Sequence, residues 1–250
     1  MLTYSSEIRW FLSGPMPTAM AEWFNLPILG GEPEIQIDDY LLLPNCHVTG
    51  VKLRDDKLQV KSLCREPSPL MITDQISGWA ASWVKWSIDL DSVTAKTFYR
   101  ENLPVRVQKT RWRRKLSHDA DQSVEVPLEM PVEYGCFLEL STLQVQDRAW
   151  WSLNLESFGP LQTTDESLRR CIYHFLRKPP PPTRLLAADS KSYAEWLTGL
   201  MPPASVAKSV PPVGAAPVGG TQMGAAPIAG TRGGAMSATS SAMPLPGRMP

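Results

Sequence analysis

Between Val48 and Ser62 apolar and polar positions alternate about a pair of aspartates, and the alternation predicts a β-hairpin. With a two-residue turn at Asp55-Asp56, Arg54 pairs with Lys57, Leu53 with Leu58, Lys52 with Gln59 and Val51 with Val60. Side chains alternate across a strand. Val51, Leu53, Leu58 and Val60 therefore share one face, and Lys52, Arg54, Lys57, Gln59 and Lys61 share the other. Like charges opposed across a ladder repel, so the basic face needs either free water or an anion. It reads as a solvated outer face, which antiparallel sheets commonly have, or as a site for a polyanion such as a di- or triphosphate.

The same alternation recurs along the chain. Glu7–Leu12 sets Ile8, Trp10 and Leu12 against Glu7, Arg9 and Phe11. Ile35–Leu43 is a second extended stretch. Ser82–Leu90 puts Val84, Trp86, Ile88 and Leu90 on one side and Trp83, Lys85, Ser87 and Asp89 on the other. Leu103–Leu116 is basic on both faces, with Lys109, Arg111, Arg113 and Lys115 on one and Arg106 and Arg114 on the other. Ser123–Met130, Gly135–Val145 and Ala149–Phe158 complete the strands. In the last, Trp151, Leu153 and Leu155 face a core opposite a polar row of Ser152, Asn154 and Glu156. A short helix or turn is expected over Pro17–Leu26, followed by a break at Gly30-Gly31. Thr163-Thr164-Asp165-Glu166 matches a capping box opening a helix to about Lys178, where Pro179–Pro182 stop it. A second helix begins near Ser190 or Ser192 and ends around Gly199. Many strands followed by terminal helices give an α+β fold with a mostly antiparallel sheet.

Composition divides the 250 residues in two. Residues 201–250 hold 9 Pro and 8 Gly with no Asp, Glu, Phe, Trp or Tyr, and GAAPVGGTQ at 214–222 recurs as GAAPIAGTR at 224–232. Two small-residue repeats bury no core, so this segment is expected to be a flexible tail. Residues 1–200 form one domain of ordinary size. That body carries 22 basic against 25 acidic residues, while the tail carries only Lys208, Arg232 and Arg248. A mildly acidic body argues against a general nucleic-acid binder; clustered cations suit a local anion site. Cys46, Cys64, Cys136 and Cys171 show no CxxC spacing, and His47, His118 and His174 stand at no zinc-ligand spacing. No signal peptide and no run long enough to span a membrane is evident, so a cytoplasmic protein with reduced thiols is the expectation.

The order of these short motifs resembles the CYTH, or triphosphate tunnel metalloenzyme, superfamily. An acidic opening strand at Glu7 precedes Tyr40-Leu41, the Lys52-Leu53-Arg54 strand and a Leu58–Lys61 strand ending in lysine. Lys85, the Arg-rich Lys109–Arg113 strand and a late Glu-bearing strand before a closing helix follow. The resemblance spans roughly residues 1–178. It implies a closed antiparallel β-barrel of about eight strands around a wet tunnel, with a few flanking helices. By that likeness Lys52, Arg54 and Lys61 bind phosphate, with Lys85, Lys109, Arg111, Arg113 and Arg9 as further candidates. Glu7, Glu139 and Glu156 are the implied ligands of Mg²⁺ or Mn²⁺, and the implied chemistry is metal-assisted attack of water on a terminal phosphoryl group. The opening motif departs from the family's Glu-x-Glu-x-Lys, giving Glu7, Arg9 and Phe11. The late pair is incomplete too, with Glu139 followed by Ser141, and Glu156 preceded by Asn154. Trading a carboxylate for Arg9 is expected to weaken metal binding strongly.

Three functions follow. The first is a tunnel phosphohydrolase acting on a triphosphate or organic phosphate. The second is a degenerate module binding a phosphorylated small molecule or polyphosphate. The third is an RNA-binding or interaction protein using the 106–115 strand and the tail. Nine tryptophans, with pairs at Trp83/Trp86 and Trp150/Trp151, suit base stacking or barrel packing. The Arg111–Lys115 run suits nuclear localisation or nucleic-acid binding, or else a solvated strand or tunnel wall, and Asp55-Asp56 suits a metal pair or a turn.

Overall fold

The computed structural model describes residues 2–24, 33–43, 45–102, 104–118, 122–177 and 179–200. The expected Gly30-Gly31 break and the 201–250 tail lie outside them. In chain order the elements are β1 (Leu2–Ser13), α1 (Thr18–Trp23), β2 (Glu34–Leu41), β3 (Thr49–Arg54), β4 (Lys57–Leu63), β5 (Ser68–Thr73) and β6 (Ile76–Asp89). Then come α2 (Ser92–Asn102), β7 (Val105–His118), β8 (Ser123–Val126), β9 (Gly135–Val145), β10 (Arg148–Phe158), α3 (Thr164–Leu176) and α4 (Tyr193–Leu200).

Eight strands close on themselves in the order β1-β10-β9-β7-β2-β3-β4-β6, every pairing antiparallel. Two long strands make closure possible. β1 pairs with β6 through Leu2–Glu7 and with β10 through Glu7–Ser13, so its first half seals one side and its second half the other. β6 gives its first residues, Ile76–Ala80, to β5 outside the ring. β8 likewise extends β7 at Lys115–His118. Closure leaves the barrel wall without an open edge.

The expected hairpin forms with the predicted register, Arg54 opposite Lys57 and Val51 opposite Val60. Asp55 and Asp56 both adopt positive φ, 48° and 57°, the two-residue turn whose twist matches the strands. Lys57, at the tip, pairs with Asp89 in solvent, outside the barrel.

The outer face of β1, β7, β9 and β10 carries Ile8, Trp10, Leu116, Leu138, Leu140, Trp151, Leu153 and Leu155. These pack under Met20 of α1, Phe24 at its C-terminal cap, and Leu168, Ile172, Phe175 and Leu176 of α3. Cys136 on β9 and Cys171 on α3 are disulfide-bonded across this layer, their Cα atoms 6.0 Å apart. This corrects the expectation of reduced thiols: the outward side of β9 and the inward stripe of α3 bring two distant cysteines into register. The helix ends also differ. Thr163 does not close a capping box; its hydroxyl donates to Pro160 O, and Glu166 pairs with Arg170. α3 ends at Leu176. The Ser-x-x-Glu cap forms instead at α4, where Ser192 Oγ accepts from Glu195 N at 3.1 Å. Ser123–Met130 gives only the four-residue β8.

Candidate functional site

The pleat fixes what the lumen holds. Inward from β1 come Glu7, Arg9 and Phe11; from β2 Asp38 and Tyr40; from β3 and β4 Lys52, Arg54 and Lys61. From β6 come Trp83 and Lys85, from β7 Lys109 and Arg111, from β9 Glu139, and from β10 Glu156. Except for Phe11 and Asp38, these line one cavity of about 190 Å³. A neighbouring recess of about 370 Å³, walled by Trp79, Leu63 and Pro67, shares Glu7, Arg9, Trp83 and Ser192 with it. Ten of the eleven residues singled out from the sequence line the smaller cavity. Arg113 is on the rim, where it pairs with Glu34 at 3.1 Å.

The charges are not evenly matched. Asp38 is 0 % exposed and is the acidic partner of three cations. Lys52 Nζ lies 3.1 Å from Oδ2, the Arg54 guanidinium takes both oxygens with Nη2 at 2.8 Å from Oδ2, and Lys109 Nζ pairs with it as well. Tyr40 donates its hydroxyl to the same oxygen at 3.2 Å. Burial works against ionisation of Asp38, but Lys109, Lys52 and Arg54 hold its pKa far below the usual carboxylate range. The converse appears on Lys52: burial, then repulsion from Lys109, depresses its pKa well below that of an ordinary lysine despite Asp38. This corner of the lumen carries excess positive charge.

A second group surrounds Glu139. Arg9 Nη1 donates to Oε1 at 3.2 Å and Arg111 Nη1 to Oε2 at 3.1 Å. Arg111 also grips Glu34 through Nη2 at 2.7 Å. Against the effect of burial, Arg9, Arg111 and Lys109 lower the Glu139 pKa to about 2. In the third group Lys61 Nζ sits 2.8 Å from Glu7 Oε2 and 3.1 Å from Glu156 Oε1. Burial opposes the charge on Glu156, yet Lys61, Lys85 and Arg9 lower its pKa. Lys85 makes no ion pair within 4 Å among the described residues.

α4 supplies a part that the strand pattern did not announce. Its Trp196 and Leu197 pack into the lumen end against Phe11, Tyr40, Val107, Leu143 and Val145. Trp196 stacks on Phe11 with centroids 4.2 Å apart. Tyr193 stacks on Tyr40 and covers two cations, with Lys109 Nζ 3.9 Å and Arg9 Cζ 4.8 Å from its ring centroid. The available signal was the apolar spacing of Tyr193, Trp196 and Leu197 behind the Ser192 cap.

The implied divalent-metal ligands do not fit such an ion. Glu7 and Glu156 already enclose an ammonium, and Glu139 is occupied by two guanidiniums. Among the described residues no three His, Cys, Asp or Glu side chains converge as a metal-holding group. Nor is the 106–115 run a basic stripe. Lys109 and Arg111 face the lumen, Arg106 and Arg114 pair outside with Asp39 and Glu125, and Lys115 is held by the carbonyls of Leu128 and Met130.

Fold and site together define a closed tunnel barrel with a cation-rich lumen, the architecture implied by the resemblance to triphosphate tunnel proteins. No protein-family model matches the chain, and no curated protein matches it. Solved structures similar to it include the PH1819 protein of Pyrococcus horikoshii OT3, at 12 % identity over 78 % of this chain and 99 % of that one, TM-score 0.42. Another is a putative adenylyl cyclase, HpAC1, from Hippeastrum, described as having a dominant triphosphatase activity (14 %, 78 % and 93 %, TM-score 0.39). A third is the Pct1 RNA triphosphatase of S. pombe in complex with the Spt5 CTD (9 %, 71 % and 83 %, TM-score 0.35). At these scores function has to be read from this chain's own side chains. No described helix is long and apolar enough to cross a membrane.

Proposed function

We propose that the barrel binds a compact polyanion in its lumen: inorganic triphosphate, a short polyphosphate, or the phosphate end of an organic triphosphate. The observation that carries this is the single buried carboxylate of Asp38 shared by Lys52, Arg54 and Lys109. Three cations on one acid form an unfavourable arrangement for folding alone, and phosphate oxygens would relieve it. Arg54 and Arg111 suit two-pronged contact with phosphate, whereas Lys52, Lys85 and Lys109 act as point charges. With Arg113 and Glu34 included, eight lumen cations oppose five carboxylates. The excess suits a ligand of several negative charges. The role proposed is capture without turnover, because Glu7, Glu139 and Glu156, the acids that would hold a catalytic metal, are each engaged by a lumen cation.

Calorimetric titration with inorganic triphosphate and ATP tests this, run beside an assay for released phosphate. Saturable binding of either, lost in Arg54→Ala, supports the reading. No heat and no thermal shift at millimolar ligand overturns it. Phosphate release by the wild type that Arg54→Ala abolishes would keep the binding site and refute capture without turnover.

A further inference from the structure

Glu7 on β1 and Glu156 on β10 are direct register partners. Two carboxylates opposed across a ladder repel, and the repulsion grows when both are buried. Such a pair needs either a cation between its members or a shared proton. A divalent ion would serve in a metal-dependent barrel, but here the place is taken by a side chain of β4, separated from β1 by β6. Lys61 extends from β4 and sets its ammonium within 3.1 Å of both acids. Burial disfavours that charge, yet Glu156 and Glu7 outweigh it and raise the Lys61 pKa. The substitution of one cation for another extends to the neighbouring position. Arg9, two residues along β1 from Glu7, neutralises Glu139 together with Arg111. Lys85 stands beside Lys61 in register, and the two ammoniums balance the two carboxylates.

We propose that Lys61 is a built-in counter-cation for the Glu7–Glu156 pair, and that the barrel therefore takes its polyanion free of divalent metal. This rests on the polyanion reading above and adds the form of the ligand. A Mg²⁺-complexed triphosphate brings a dication toward an ammonium and a guanidinium that have already claimed the local oxygens. Mg²⁺ also needs near-octahedral oxygen ligation, which two engaged carboxylates do not provide. The uncomplexed anion meets the cationic corner around Asp38 without bringing a cation of its own. The inward acids then have a definite effect: they keep Lys61 and Arg9 in place and oppose the ligand by their own charge.

The experiment has two arms on the full-length chain. The first measures Mn²⁺ binding directly by loss of the free-ion electron paramagnetic resonance signal. Wild type should bind no Mn²⁺ at micromolar concentration. Lys61→Met, and Lys61→Met combined with Lys85→Met to stop the neighbour from filling in, should bind it at least about tenfold more tightly. Each should also gain thermal stability from Mn²⁺ that wild type does not. Should both lysine variants fail to fold, Glu156→Gln decides the question in the second arm, which titrates inorganic triphosphate in EDTA and in excess Mg²⁺. Wild type should bind in EDTA and more weakly in Mg²⁺. Glu156→Gln, having lost an opposing charge, should bind several-fold more tightly in both. Micromolar Mn²⁺ binding by wild type, binding of triphosphate only with Mg²⁺, or loss of binding in Glu156→Gln overturns the counter-cation. A wild type that binds triphosphate in neither buffer refutes the polyanion reading itself, while the Mn²⁺ arm still rules on Lys61.

Discussion

Replacing Asp38 by Asn removes one buried charge and leaves the side chain's shape. Lys52, Arg54 and Lys109 then face one another with no carboxylate between them. Breaking a buried ion pair by deleting one partner costs about 3–5 kcal/mol. The amide still accepts one hydrogen bond, which places Asp38→Asn near the lower figure. For a domain of this size each kcal/mol lowers Tm by about 2–4 °C, so a fall of roughly 6–12 °C is expected. Inorganic triphosphate at about 100 times its Kd contributes about 2.7 kcal/mol to wild type. The variant should gain more, because the ligand replaces the missing acid; a tenfold affinity gain would add about 1.4 kcal/mol. Differential scanning fluorimetry with and without triphosphate gives both numbers. A fall under about 2 °C, or a ligand-induced rise no larger than that of wild type, would refute the reading of Asp38 as the centre of an over-charged anion site.

Lys52→Met should act in the opposite sense, because burial and Lys109 already disfavour the charge on Lys52. Tm should rise, by about 0.5–2 kcal/mol in equivalent stability, while calorimetry shows triphosphate affinity falling at least tenfold (about 1.4 kcal/mol); lower stability would contradict the assignment. Glu139 is held at about 2 against its ordinary 4.5. A depressed carboxylate contributes stability above its unfolded value and loses it as pH falls through the folded one. Tm should therefore be nearly flat above pH 4.5 and drop steeply toward pH 2, with Glu139→Gln flattening part of the slope in a pH series. Deleting residues 201–250 should leave Tm and triphosphate binding unchanged, and an insoluble product would show that the tail is needed for folding.

The hairpin was legible because turn chemistry and period-two patterning agreed, and a one-residue slip would have sent Lys52 and Arg54 outside and Leu53 inside. Gly135–Val145 was legible at both ends for the same reason. Ring closure was not, since it depends on β1 splitting its pairing between β6 and β10, a property of length and twist that no alternation records. The capping box at Thr163 shows how a motif fails locally: Thr163 takes up helical angles, so its hydroxyl turns back to Pro160. α2 was missed, although Asp91 gave the signal; its carboxylate accepts from Val93 N and Thr94 N and caps the helix. At the site, residue types and faces could be read from the sequence, but partners could not. The sharing of Asp38 by three cations, and the meeting of Lys61 with Glu7 and Glu156, join strands far apart in sequence.

Tyr193, near the end of the described chain, covers Arg9, near its beginning. The lumen thus draws on both extremities of the described fold. On the ribosome its floor and walls emerge long before its cover, so a nascent chain has no complete lumen until α4 has emerged. Proteolytic removal of either extremity should have the same outcome. A shortened barrel that keeps most of its sheet would be blind to phosphate, which makes anion binding a report on the chain's integrity.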